Sequence, residues 1–229
     1  MLSYVGWDNR FFVTLRAIIS KPAEVILTYL DGVRSRYVPP LVFVGLGVAL
    51  ITITYNVFSE EYLELTYSMV DAQFELVQDS YDQGKMSQKQ YDAQVENMEL
   101  NKQIQKYFLK YFNVISFLFL PIYALISRLV FGKRFNYGEH LVINAYLQGL
   151  IFFLGIFTFL LAVYVYAPIF IMQLLVLISY YLWTFKTLMN LSIGKTILKF
   201  LLFLGILIGL GIFMIIVGVV FTLAKMFLF

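Results

Sequence analysis

Five stretches of this chain are too long and too apolar for a soluble core. A hydrocarbon layer about 30 Å thick is crossed by about 20 helical residues, and residues 40–58, 112–131, 142–166, 168–189 and 198–222 each meet that measure. In lipid every backbone N–H and C=O must be satisfied within its own segment, so these stretches are constrained to be helices. Composition agrees: 61% of residues are hydrophobic and 14% charged, against roughly 25% charged in soluble domains. The fold class is therefore all-α, a polytopic membrane protein with five transmembrane helices. Its expected order is cytoplasmic amphipathic interfacial helices over 1–38, a first span over 39–58, an extracytoplasmic helical hairpin over 59–111 and a four-helix membrane bundle over 112–229.

Charge placement sets the expected sidedness. Arg10, Arg16, Lys21, Arg34 and Arg36 precede span one; Lys133 and Arg134, with Arg128 at the membrane edge, separate spans two and three; Lys195 and Lys199, with Lys186 just inside, separate spans four and five. Basic connections stay in the cytoplasm, which places the amino terminus inside and the carboxyl terminus outside. Lys225 dissents, and a re-entrant last segment would place that end differently. Spans three and four are separated by Ala167 and Pro168 alone, which predicts a tight helical hairpin, with proline in the first turn of the fourth helix.

The amino-terminal segment is amphipathic. Phe11, Phe12, Leu15, Ile18 and Ile19 are assigned to one helical face, and the basic set Arg10, Arg16, Lys21, Arg34 and Arg36 is available to anionic headgroups. Pro22 restarts a short helix with Ser20 as its expected cap, and Gly32 ends it as a left-handed residue. These helices either cover the bundle ends or form a specific lipid or partner surface. No basic, apolar and small-residue succession marks a removable signal, so span one is expected to act as an uncleaved anchor, and no lipidation signal is read.

Residues 59–111 carry ten acidic residues, five lysines and no arginine. Leu63, Tyr67, Val70, Phe74, Val77 and Tyr81 recur at four, three, four, three, four, the seam of a helix that packs on another helix. Gly84 is the predicted turn, and Ser87 with Gln90 forms a predicted capping box. The second arm's apolar set is Tyr91, Val95, Met98, Ile104 and Phe108, with a slip in the seam between Met98 and Ile104. The first arm is purely acidic and the second lysine-rich, which favours antiparallel pairing, each exposed pair contributing up to about 1 kcal/mol.

The densest intramembrane polar signal follows the second basic connection. His140, Asn144 and Gln148 stand at i, i+4 and i+8, with Glu139 beside them; Glu139 is expected to pair with Arg128 or Lys186. Polar groups in lipid mark either functional sites or interhelical hydrogen bonding. Glu139 and His140 point about 100° apart and no second histidine exists, so they make no chelating pair. With no cysteine in the chain, thiolate chemistry, disulfides and cysteine metal sites are excluded. No metal, cofactor or nucleic acid is expected, and no catalytic set is read. Gly194-Lys195-Thr196 lacks the glycine and strand context of a phosphate loop. Gly205 and Gly209, with Gly211 and Gly218 nearby, form a small-residue stripe suited to close helix packing within the chain or between copies, leaving homo-oligomerisation open.

Two strings resemble a known family. Residues 21–40, KPAEVILTYLDGVRSRYVPP, and 136–142, NYGEHLV, are similar to the bacterial membrane family called domain of unknown function 3667. Many of its members begin with a cysteine-rich zinc ribbon, which this chain lacks. More loosely, the topology is similar to the Yip1-like superfamily. The resemblance implies a place in the bacterial cytoplasmic membrane and no particular activity. The leading expectation is a non-enzymatic scaffold or accessory subunit presenting the hairpin to an envelope partner; the alternative is a small transporter or lipid-handling protein using the polar line.

Overall fold

The computed structural model describes residues 6–132 and 134–228, with side chains over 10–68, 70–132 and 134–213. Lys133 lies outside the described residues, and Gly218 and Lys225 lie where the backbone alone is described. The described residues form helices joined by turns and short connections, with no strand: α1 (Gly6–Ser20), α2 (Pro22–Leu30), α3 (Pro40–Val57), α4 (Ser59–Asp82), α5 (Gln88–Lys110), α6 (Phe112–Phe131), α7 (Tyr137–Tyr164), α8 (Ile169–Met189) and α9 (Ile193–Leu228). Among the described residues, five helices are long and apolar enough to cross a membrane: Pro40–Val57, Phe112–Phe131, Tyr137–Tyr164, Ile169–Met189 and Ile193–Phe213. The third starts before the expected residue 142, because polar capping residues begin the helix and hydropathy does not register them. The tight turn after it is Val165–Pro168, with the Ile169 amide donating to the Tyr166 carbonyl at 3.0 Å.

The chain divides into two compact units. The first comprises residues 1–39, 120–147 and 178–229; the second comprises 40–119 and 148–177.

In the first unit the amino-terminal helices are tied down by hydroxyl groups. Pro22 has no N–H, so the Ile18 carbonyl loses its helical donor; the buried Tyr180 hydroxyl donates to it instead. The Val38 backbone, just ahead of Pro39-Pro40, is held on both sides. Its amide donates to Thr14 Oγ1 at 2.9 Å, and its carbonyl accepts from the Tyr146 hydroxyl at 2.7 Å. The cap expected at Ser20 is absent: Ser20 closes α1, its hydroxyl donating back to the Arg16 carbonyl at 2.9 Å. Gly32 is left-handed at φ 94°, as its place after α2 requires. The apolar face of α1 also differs from expectation. Ile18 and Thr14 are buried, whereas Phe12 and Ile19 point outward beside Arg16. Tertiary bonding through Thr14 selects which edge is inside.

The second unit contains α3, the α4–α5 hairpin and one part each of α6, α7 and α8. Glycines here permit close backbone approach between α3 and α7. A Cβ on Gly149 would stand 2.5 Å from Phe43 Cδ1 and 3.2 Å from the Val44 backbone, and one on Gly47 would stand 3.0 Å from the Gly149 carbonyl oxygen. This is small-residue packing of the kind that membrane helices use. Gly205 and Gly209 on α9 have open space where a Cβ would go, and so does Gly211. Among the described residues, the glycines whose added Cβ would meet the backbone of another helix are Gly47 on α3 and Gly149 on α7. An aromatic collar fixes the base of the hairpin, with Tyr55 4.5 Å from Tyr62, 5.4 Å from Phe112 and 5.0 Å from Phe159 between ring centres.

Candidate functional site

In the first unit α7 begins with a reciprocal cap. The Glu139 amide donates to Asn136 Oδ1 at 2.9 Å, and the Asn136 amide donates to the Glu139 carboxylate at 2.6 Å. This arrangement satisfies two of the helix's orphan donors and puts a carboxylate at the positive end of the helix dipole. It also accounts for Glu139, which pairs with neither Arg128 nor Lys186; both of those are exposed.

One residue on, His140 is fully buried, and so is Asn144. They meet two residues that sequence reading passes over, Ser127 on α6 and Tyr181 on α8. The Asn144 side-chain amide donates to Ser127 Oγ at 2.9 Å and to the His140 carbonyl at 2.8 Å. The Tyr181 hydroxyl donates to Asn144 Oδ1 at 3.3 Å. Ser127 Oγ lies 2.9 Å from His140 Nδ1 and 3.1 Å from the Ala124 carbonyl. The serine has a single proton, so its direction and the histidine tautomer are set together. Three helices are thus joined through one asparagine. His140 Nε2 makes no full hydrogen bond, although the Gly132 backbone acts on the ring as a weak acceptor.

Aromatic rings seal this cluster. Phe135 meets the imidazole edge-on at 6.2 Å, and Phe131 stacks on Phe185 at 4.0 Å. Lys199 from α9 donates to the Val130 carbonyl near the carboxyl end of α6, where a cation complements the helix dipole. Gln148, two turns beyond His140 on α7, is half-buried and belongs to the second unit. No group of three His, Asp or Glu side chains gathers among the described residues as a metal site requires. The signal for Ser127 and Tyr181 was faint, since serine and tyrosine are unremarkable in apolar helices.

The basic residues before span one have separate situations. Lys21 and Arg36 both approach Glu24 at 3.5 Å, Arg34 lies over the Tyr29 ring, and Arg10 and Arg16 are exposed.

In the second unit the hairpin is an antiparallel pair. The Tyr67 hydroxyl donates to the Lys102 carbonyl at 3.2 Å, Tyr91 donates to Gln78 at 2.6 Å, and Tyr81 donates to Gln88. Fourteen residues up α4, from Tyr67 to Tyr81, match fourteen down α5, from Lys102 to Gln88, so the register is unbroken. Gly84 turns the chain at φ 68°, and the Ser87–Gln90 capping box is formed. Val70 is buried, Leu63, Tyr67, Val77 and Tyr81 are half-buried, and Phe74 is exposed. The expected slip in α5 does not occur. Burial continues from Met98 through Lys102 and Gln105 to Leu109, while Ile104 and Phe108 lie outside. Two seam positions are polar, which hid the periodicity. Lys102 is accommodated by Asp71 at 2.8 Å and by the Tyr67 ring at 5.4 Å, its stem lying along the seam. A groove of about 270 Å³ opens beside this pair, lined by Val70, Asp71, Phe74, Val95, Met98, Glu99 and Lys102.

Among the described residues, five membrane-length helices and no strand define an all-helical polytopic membrane protein. Residues 8–52 match the model of a family described as "Protein of unknown function (DUF3667)". The match covers most of α1, all of α2, the double-proline entry and most of α3, in agreement with the resemblance of residues 21–40. No curated protein and no solved structure matches the chain.

Proposed function

We propose that the chain is a non-enzymatic integral membrane scaffold or accessory subunit, with the α4–α5 hairpin outside the bacterial cytoplasmic membrane as its display element for an envelope protein partner. The observation that carries this reading is the hairpin's construction. An uninterrupted seam runs along arms of 24 and 23 residues, each about 35 Å long at 1.5 Å per residue. Its base is held by the aromatic collar, and its flank offers the groove beside exposed Phe74. A stiff, anchored helical pair of this kind presents a surface without folding on contact, which limits the ordering cost of binding. The buried polar junction fits the same role, because Asn144 is committed to neighbours on three helices.

Reporter fusions at Gly84 and Gly132 test the sidedness, with Gly84 outside and Gly132 inside as the expected outcome. Replacing residues 62–106 by a short linker should preserve insertion and abolish co-purification of a partner in mild detergent. Retention of every co-purifying protein after that deletion overturns the proposal.

One atom supports the alternative of a transporter or lipid-handling protein: His140 Nε2, buried without a full hydrogen bond. On that reading His140→Ala abolishes proton-coupled uptake in liposomes, and Glu139→Gln, at the helix entrance, slows it.

A further inference from the structure

Tyr111 is the one residue between α5 and α6, and helical bonding passes across it. Its amide donates to the Tyr107 carbonyl at 3.0 Å, and its carbonyl accepts from Ile115 at 3.0 Å. Tyr111 itself departs from helical geometry, at φ −109° and ψ 17°, so the chain can bend there while the bonds on either side keep the two helices in register. Across this junction Leu100, Ile104, Tyr107, Tyr111, Val114 and Leu118 recur at four, three, four, three, four, which is a single helical face. All six are 45–63% exposed. The packed seam through Met98, Lys102, Gln105 and Leu109 lies about half a turn away, so pairing with α4 leaves this stripe uncovered.

Val114 and Leu118 belong to a membrane-length helix, where such a face meets acyl chains. The same face runs three turns beyond that helix with no polar interruption. Its composition is that of an interface. Tyr107 and Tyr111 combine an apolar body with a polar tip, Phe108 widens one edge, and Lys106 and Lys110 flank the other. No acidic residue occurs between Glu99 and Glu139, whereas Glu60, Glu61 and Glu64 stand on the opposing arm. Anionic headgroups thus complement α5 and not α4. If the hairpin stood along the membrane normal, Leu100 would rise about 18 Å above Phe112, and the apolar stripe would stand in water.

We propose that the hairpin leans onto the leaflet in which α6 begins, with the last three turns of α5 embedded in the headgroup and acyl boundary through Leu100, Ile104, Tyr107, Phe108 and Tyr111. Lys106 and Lys110 reach the phosphates of anionic lipid. The arrangement needs α6 to span the membrane and the chain to bend at Tyr111, and it holds with or without a protein partner. It leaves the groove beside Phe74 as the surface still open to water.

The chain contains no cysteine, so single-cysteine spin labels have no background. Labels at Leu100, Ile104 and Phe108 in the full chain, in vesicles of phosphatidylethanolamine and phosphatidylglycerol, should contact oxygen more than a water-soluble nickel chelate, at a depth of about 5–10 Å. Labels at Gln94 on distal α5 and at Leu76, an exposed apolar residue on α4, should read as aqueous. In the same vesicles Lys106→Glu with Lys110→Glu should shift the stripe toward the aqueous reading. The unsubstituted chain gives an independent check, since a diazirine-bearing phospholipid should form adducts within residues 100–111. Aqueous readings along the stripe overturn the proposal. Shielding from both oxygen and nickel, with no lipid adduct, also overturns it and assigns the stripe to a protein neighbour or a second copy.

Discussion

Asn144 is the residue through which three helices of the first unit are bonded, and its removal has a calculable consequence. Asn144→Leu deletes two interhelical hydrogen bonds, one given to Ser127 Oγ at 2.9 Å and one received from Tyr181 at 3.3 Å, and a third within α7. Interhelical bonds in membranes average about 0.6 kcal/mol and reach about 1.7, so the two together are worth about 1–3 kcal/mol. Leucine restores most of the volume, which limits any cavity contribution. The informative measurement is a pair of double-mutant cycles, Asn144→Leu with Tyr181→Phe and Asn144→Leu with Ser127→Ala, by reversible unfolding in mixed micelles followed by circular dichroism. The longer Tyr181 bond predicts coupling near the 0.6 kcal/mol average, and the shorter Ser127 bond predicts coupling toward the upper value. Coupling below about 0.3 kcal/mol in both cycles, within the additivity expected of independent sites, would refute the junction as a joint between helices.

Two further perturbations separate packing from pattern. Gly149→Ala places a methyl 2.5 Å from Phe43 and 3.2 Å from the Val44 backbone, and overpacking of this kind costs about 1–3 kcal/mol; Gly205→Ala, facing open space, should leave thermal stability in detergent unchanged, and equal effects would refute the assignment. In the hairpin, the hydrogen bond with Asp71 raises the Lys102 pKa, and burial raises that of Tyr67. Each folded value lies above its unfolded one, so the contribution is complete below about pH 10 and is lost as pH rises through the ordinary lysine and tyrosine range and beyond. Spin-label distances between Gln73 and Gln94 should hold constant up to that range and broaden above it, with Lys102→Met weakening the transition; opening well below pH 10 contradicts the pairing.

The resemblance to a family of unknown function rests on two strings, and the family match over residues 8–52 covers the first, residues 21–40, and not the second, residues 136–142. The matched segment is also where prolines forced the fold to improvise. Pro22 orphans the Ile18 carbonyl and the double proline leaves Val38 outside any helix, so hydroxyls from Tyr180, Thr14 and Tyr146 complete the bonding. The need for donors was readable from the prolines, but their source was not, because Tyr146 lies 108 residues from Val38 and Tyr180 lies 162 residues from Ile18.

Local rules account for what was legible in the chain itself. Apolar length determined the five membrane helices, the four-three spacing determined the first hairpin arm, and glycine at Gly32 and Gly84 with the Ser87–Gln90 box determined where helices stop and start. Each of these depends on neighbours within one or two turns. Tertiary structure decided the rest. Lys102 and Gln105 fill seam positions because Asp71 and Tyr67 lie opposite, which corrected the apparent slip toward Ile104 and Phe108. Gly149, and not the Gly205–Gly209 motif, meets a neighbouring backbone, because only the packing of α7 on α3 determines which glycine is needed. His140 and Asn144 stood out as polar residues in lipid, but their joining to Ser127 and Tyr181 depends on contacts between helices, which no pattern along a single helix encodes.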